Sequence, residues 1–186
     1  MEDQLPYDPK SVKPANVNGP AMKMALMMSG MLIVYTLVLY IAGQGANKGL
    51  GWINYILILT GLILASINFR DKENQGYITF GRAFYFGFMI VLFASLIYGI
   101  FMYIYLKFIA HDIITQMLRI TEDQMMAKKL PEEQAEQAMK WTKKLLVPGA
   151  MAIMTFIFTL FLGTILSLIS AAITKRETPP NAPPAV

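Results

Sequence analysis

The chain has 186 residues, of which 55% are hydrophobic and only 15% charged, and its mean hydropathy is positive. That balance lies outside the usual range of soluble domains and makes a membrane the expected solvent. The formal charge of +4 is small and scattered, which argues against nucleic-acid binding, and the absence of cysteine removes disulfides, thiolate metal sites and thiol nucleophiles together.

Residues 1–21 carry Pro6, Pro9, Pro14 and Pro20 among Asp, Lys and Asn, and hold no apolar core, so they read as a flexible tail and not as a signal peptide. A membrane domain over residues 22–176 follows. Crossing a hydrocarbon core takes roughly 20 apolar helical residues, and four stretches are long enough: residues 24–42, 52–69, 83–108 and 145–173. The first ends in a turn region of Gly43, Gly45, Asn47 and Gly49, and the second stops at the charged run Arg70, Asp71, Lys72 and Glu73. Barrel strands are short and alternate apolar with polar residues, so these continuous runs predict helices.

Between the third and fourth spans, residues 111–144 predict an amphipathic, charged helical hairpin outside the hydrocarbon. Ile113, Ile114, Met117, Leu118, Met125 and Met126 fall mostly at helical spacing, and Pro131 followed by Glu132 and Glu133 reads as a second helix start. This second helix is expected to run into the fourth span with a bend at Pro148. Residues 177–186, with four prolines, read as a disordered tail. The fold expected is thus all-α and integral to the membrane, with four transmembrane helices and one hairpin.

Lys10, Lys13, Lys23, Arg70, Lys72 and Arg82 surround the N-terminus and the second loop, which predicts both termini in the cytoplasm. Small residues recur four apart, as in Gly61 and Ala65, Ala83 and Gly87, or Gly163, Ser167 and Ala171. They favour close packing within one bundle, with a homodimer as the alternative. Tyr98, Tyr103 and Tyr105, with Phe101 and Phe108, crowd one end of the third span and read, together with Trp52 and Tyr55, as an aromatic belt at the membrane interface.

No catalytic, cofactor-binding or metal-binding residue is predicted. One histidine and no cysteine do not make the common zinc ligand sets, and His111 beside Asp112 reads as a lone pair that caps a helix or faces solvent. No ionisable residue falls in the middle of a span, which disfavours coupled transport.

Residues 67–84, INFRDKENQGYITFGRAF, joined to Ser95, Tyr98 and Tyr105 of the third span, and residues 131–148, PEEQAEQAMKWTKKLLVP, resemble a family of small bacterial membrane proteins catalogued as domain of unknown function 4199. The shared features are an arginine-ended second span, a re-entry at Gly76, Phe80 and Gly81, and a charged hairpin. The resemblance covers residues 22–176. It implies four spans and a bacterial inner (cytoplasmic) membrane location, and supplies no catalytic residues.

The leading expectation is a non-enzymatic scaffold or accessory subunit acting through residues 113–144. The lipid bilayer is one partner. A homodimer or an unidentified protein would use the face of Met125, Met126, Met139 and Trp141, although the hairpin can equally fold back on its own bundle or lie on the membrane surface. The alternative is a small transporter or channel with a polar path between the second and third spans near Asn54, Asn68 and Tyr98. An enzyme acting on lipid is the remaining alternative.

Overall fold

A computed structural model describes residues 16–74, 76–127 and 131–176. Most of the expected N-terminal tail and the whole of the expected C-terminal tail, residues 1–15 and 177–186, lie outside the described residues. Helix α1 spans Asn18–Ile41, α2 Lys48–Gly51, α3 Ile53–Glu73 and α4 Phe80–Ile104. A single π turn, Tyr105–Ile109, then leads into α5 His111–Ala127, α6 Glu132–Leu145 and α7 Pro148–Thr174. Four helical stretches are long and apolar enough to cross a membrane: Asn18–Ile41, Gly49–Glu73, Phe80–Ile109 and Pro148–Thr174.

The boundaries follow local chemistry more than hydropathy. Helix α1 starts at Asn18, ahead of the apolar run and inside the expected tail, because first-turn N–H groups have no intrahelical partner and Pro20 costs nothing there. The Asn16 side chain takes the Asn18 N–H at 3.0 Å. Asn47 likewise caps α2 by accepting from Gly49 N at 2.9 Å. The charges from Arg70 to Glu73 end the apolar run but not α3, which continues through them. Contrary to the expected bent continuous helix, α6 and α7 are separated at Leu146 and Val147. Pro148 opens α7 in its first turn, the position where proline's missing donor is harmless.

Helix α4 lies at the centre, packed most extensively on α7 and next on α1, while α3 packs chiefly on α7. The α4–α7 seam is antiparallel and rests on small residues. A Cβ placed on Gly87 would stand 2.5 Å from Ser167 Oγ, one on Gly163 2.5 Å from Val91 Cγ1, and one on Gly99 3.2 Å from Phe156 Cβ. Ser167 Oγ donates to Phe84 O at 3.1 Å across the seam. Lipid tails are as apolar as leucine, so association in the bilayer depends on such close backbone approach and on interhelical hydrogen bonds. Gly163, Ser167 and Ala171 are therefore buried within one chain.

The two ends of the bundle differ. At the basic end lie Lys23, Arg70, Lys72, Arg82, Lys175 and Arg176. There Phe69 of α3 stacks on Phe86 of α4 at 4.1 Å, and Arg70 Nη1 donates to Thr174 O of α7 at 3.2 Å. Gly76, at φ 83°, turns the chain between α3 and α4, and Ile78 exchanges two backbone hydrogen bonds of 2.9 Å with Arg176. At the hairpin end, α5 and α6 contact each other, and the first half of α5 docks on the bundle. Its buried Ile113 packs with Tyr105, Leu106 and Ala110, with Met117 of α5 and Met151 of α7 against that cluster.

Candidate functional site

The aromatic residues expected to form one belt fall on two faces. Tyr98, Phe101 and Tyr105 stack in a column with centroids 6.1 and 5.6 Å apart, and Tyr98 and Tyr105 are buried. Tyr103 and Phe108 face outward instead. Lys107 Nζ lies 5.2 and 5.3 Å over their rings and donates to Tyr103 Oη at 3.0 Å. Helical spacing accounts for the division, since residues three and four apart share a face and 98, 101 and 105 form one such series. The belt thus consists of exposed Tyr103, Phe108 and Trp52, while Tyr98 and Tyr105 belong to the interior.

Beside this column, under the hairpin, lies a cavity of about 820 Å³. Asn54, Tyr55 and Ile58 of α3 form one wall, and Tyr98 and Met102 of α4 the back. Met151, Thr155 and Thr159 of α7 form the opposite wall, while Met117 and Thr121 of α5 and Thr142 of α6 form the roof. Trp52, Met154 and Phe158 stand at its rim and are exposed on the outer surface, so the opening lies between α3 and α7.

Among the described residues that line the cavity, none carries a formal charge at neutral pH. The polar side-chain groups are an amide, an indole N–H, two phenols and four threonine hydroxyls. Thr36 Oγ1 donates to Leu32 O at 2.9 Å and so accepts from Tyr98 Oη at 2.9 Å, which fixes the phenol against α1. Thr121 donates to Met117 O at 2.8 Å. Asn54 Oδ1 is shielded from water and has no hydrogen-bond partner among the described residues. A buried unpaired acceptor costs about 1–3 kcal/mol. The lining can hold a molecule by apolar contact and a few neutral hydrogen bonds, and it offers no carboxylate or imidazole to move a proton.

Asn54 and Asn68 do not share a space. Asn68 lines two smaller recesses between α1 and α3, of about 380 and 260 Å³. Buried Ile58, Leu62 and Ala65 lie between the two asparagines along α3. The expected polar path near Asn54, Asn68 and Tyr98 is thus represented at Asn54 and Tyr98 alone.

His111 and Asp112 sit at the start of α5, both exposed. Tyr40 Oη donates to Asp112 Oδ1 at 3.3 Å and to Ile109 O at 3.1 Å, and Gln116 Nε2 donates to Asp112 Oδ2 at 3.1 Å. Asp112 therefore ties the end of α1 to the start of the hairpin. Among the described residues no group of three or more His, Asp or Glu side chains is placed to hold a metal ion. Of the partner face expected on the hairpin, Met126 and Trp141 are 68% and 63% exposed, and Met125 and Met139 are half-buried.

Sequence reading named Asn54 and Tyr98, took Met117 only as an apolar position of the hairpin, and missed Thr121, Thr142, Thr155 and Thr159. The available signal was Thr155 and Thr159, two hydroxyls one turn apart in the first half of the fourth span, where the other residues are apolar. No curated protein and no solved structure matches the chain. The model of the family described as protein of unknown function (DUF4199) matches residues 23–176, the whole bundle with its hairpin, and the chain belongs to that family.

Proposed function

We propose that this protein is a non-enzymatic accessory protein of a bacterial inner membrane that takes one uncharged amphiphile from the bilayer into the cavity roofed by α5 and α6. The observation that carries this reading is the cavity itself: about 820 Å³, open at the outer surface between α3 and α7, with polar groups but no formal charge in its lining. A space of that size suits a lipid-like or drug-sized molecule. An ionised head group would enter it without a counter-charge, at a large desolvation cost. The basic end is taken as cytoplasmic by the excess of Lys and Arg around the short loop between α3 and α4, which sets the hairpin on the opposite side.

The test uses Trp52 at the rim. In a Trp141→Phe background Trp52 is the only tryptophan of the two in the chain, and a spin-labelled monoacylglycerol is titrated against its fluorescence in detergent. Saturable quenching is expected, with saturation lost in Asn54→Leu and in the cavity-filling pair Thr155→Leu and Thr159→Leu. Asn54→Leu also removes an unpaired buried oxygen, so stability is expected to rise by about 1 kcal/mol while binding weakens. Linear quenching of equal slope in parent and variants means bulk partitioning only, and sinks the reading.

A second reading is favoured by the exposure of Met126 and Trp141: the hairpin is also a contact surface for a protein partner or a second copy. A photoreactive residue at Met126 is expected to crosslink protein; crosslinks confined to lipid or to the same chain count against it.

A further inference from the structure

A second site, separate from the roofed cavity, lies on the opposite flank of α3. Helices α1 and α3 touch sparsely, far less than α1 touches α4 or α3 touches α7, and two recesses open between them. The larger, about 380 Å³, is lined by Met24, Met27, Met28, Met31, Gly61 and Leu64, with Ala65 and Asn68. The smaller, about 260 Å³, is lined by Lys23, Lys72, Glu73, Asn68 and the first turn of α1 at Gly19 and Pro20, with Phe69 and Phe86 as its floor. Met24 and Asn68 line both, so the two recesses form one groove.

We infer that this groove binds one anionic glycerophospholipid of the leaflet at the basic end. The charge pattern selects the head group. Lys23 and Lys72 face Glu73 alone among the charged residues of the recess, leaving one excess positive charge, and the positive end of the α1 dipole points into the same space. Among the described residues neither lysine has an ion-pair partner. A zwitterionic lipid would bring its own ammonium against these two. The Asn68 amide sits where head group and glycerol meet. Below it, Met24 to Met31 run for about 10 Å along α1 and offer flexible, polarizable walls for an acyl chain. Gly61 forms the groove bottom: a Cβ there would meet only Met28 Cε, at 3.0 Å. Depth and charge thus lie in the order a lipid presents them, ammonium groups at the helix ends and apolar walls toward the midplane.

Native mass spectrometry of the full chain released from detergent, with phosphatidylglycerol or phosphatidylcholine added at equal concentration, tests the assignment. One tightly held phosphatidylglycerol per chain is expected, in preference to phosphatidylcholine. Lys23→Gln with Lys72→Gln should weaken phosphatidylglycerol by on the order of tenfold and leave phosphatidylcholine unchanged. Lys143→Gln with Lys144→Gln, at the opposite end of the bundle, should change neither lipid. Gly61→Leu fills the apolar part and should weaken both lipids, since the Met28 methyl it meets can rotate away. Equal retention of the two lipids by the parent protein overturns the proposal. A loss from the Lys143 and Lys144 pair as large as that from Lys23 and Lys72 also overturns it, by showing attraction to net charge. If Gly61→Leu does not yield folded protein, the two lysine pairs decide alone.

Discussion

At the basic end α3, α4 and α7 meet through a stacked Phe69 and Phe86, the Ser66 and Ser170 hydroxyls 3.4 Å apart, and the backbone exchange between Ile78 and Arg176. At the hairpin end the same three helices line a cavity of about 820 Å³. Helices α4 and α7 stay close along their length, held at the hairpin end by Gly99 against Ala152 and Phe156. It is α3 that leaves α7. Where they meet, the facing residues are small: Ser66 on one and Ser170 on the other, both buried. Toward the hairpin the lining residues are Tyr55, Tyr98, Met102, Met151 and Phe158, and side chains of that bulk hold backbones apart without filling the space between them. Residue size along each helix thus decides which end of the bundle is closed and which can hold a guest.

The largest expected effect breaks the closed seam. Gly163→Leu would place a Cβ 2.5 Å from Val91 Cγ1 in the α4–α7 interface and is expected to cost about 3 kcal/mol. The thermal midpoint followed by circular dichroism in micelles should fall accordingly. Gly30→Ala is the matched control, since a Cβ at Gly30 meets nothing within 4 Å; it should hold or gain about 0.5–1 kcal/mol from helix propensity. Equal losses from both would mean that the seam is not where stability resides.

A smaller, local effect sharpens the contrast between the ends. Ile113 is 3% exposed in the cluster that docks α5 on Tyr105 and Leu106. Its truncation to Ala should cost about 2–3 kcal/mol at the hairpin end. Hydrogen exchange is expected to rise in α5 and α6 and to stay unchanged from Ser66 to Arg82. Faster exchange at both ends alike would make the bundle one cooperative unit and erase the distinction drawn above.

The smallest effect concerns the serine contact. Ser66→Ala alone leaves Ser170 Oγ without its partner and is expected to cost roughly 0.5–1 kcal/mol, whereas Ser66→Ala with Ser170→Ala should be close to neutral, because both polar groups are then gone. Chemical denaturation midpoints of the two variants and the parent protein give the comparison. A double variant weaker than the single one would show that the contact is more than a paired burial.

Much of the architecture was readable residue by residue. The apolar runs announced four membrane helices and Pro131 one further helix start, because hydrocarbon thickness and proline's missing donor act locally. The starts of α1 and the break before α7 were misjudged for the converse reason: hydropathy does not report first-turn capping by Asn16 or the tolerance of Pro20. The division of the third-span aromatics into a buried column and an exposed belt was within reach of a helical spacing of three and four, and was missed by counting them together.

The candidate site is of another kind. Asn54, Tyr98, Met117, Thr142 and Thr155 are brought together from five helices, and no local pattern relates their positions. Chain length and polarity are additive along a sequence, so the number of spans, their helical form and the lack of charge inside them could be read directly. Whether two helices touch or part depends on pairs of residues facing one another across a seam, such as Gly163 with Val91 or Ser66 with Ser170. Those pairs exist only once the helices are packed, and with them the cavity, its roof and the groove beside α1.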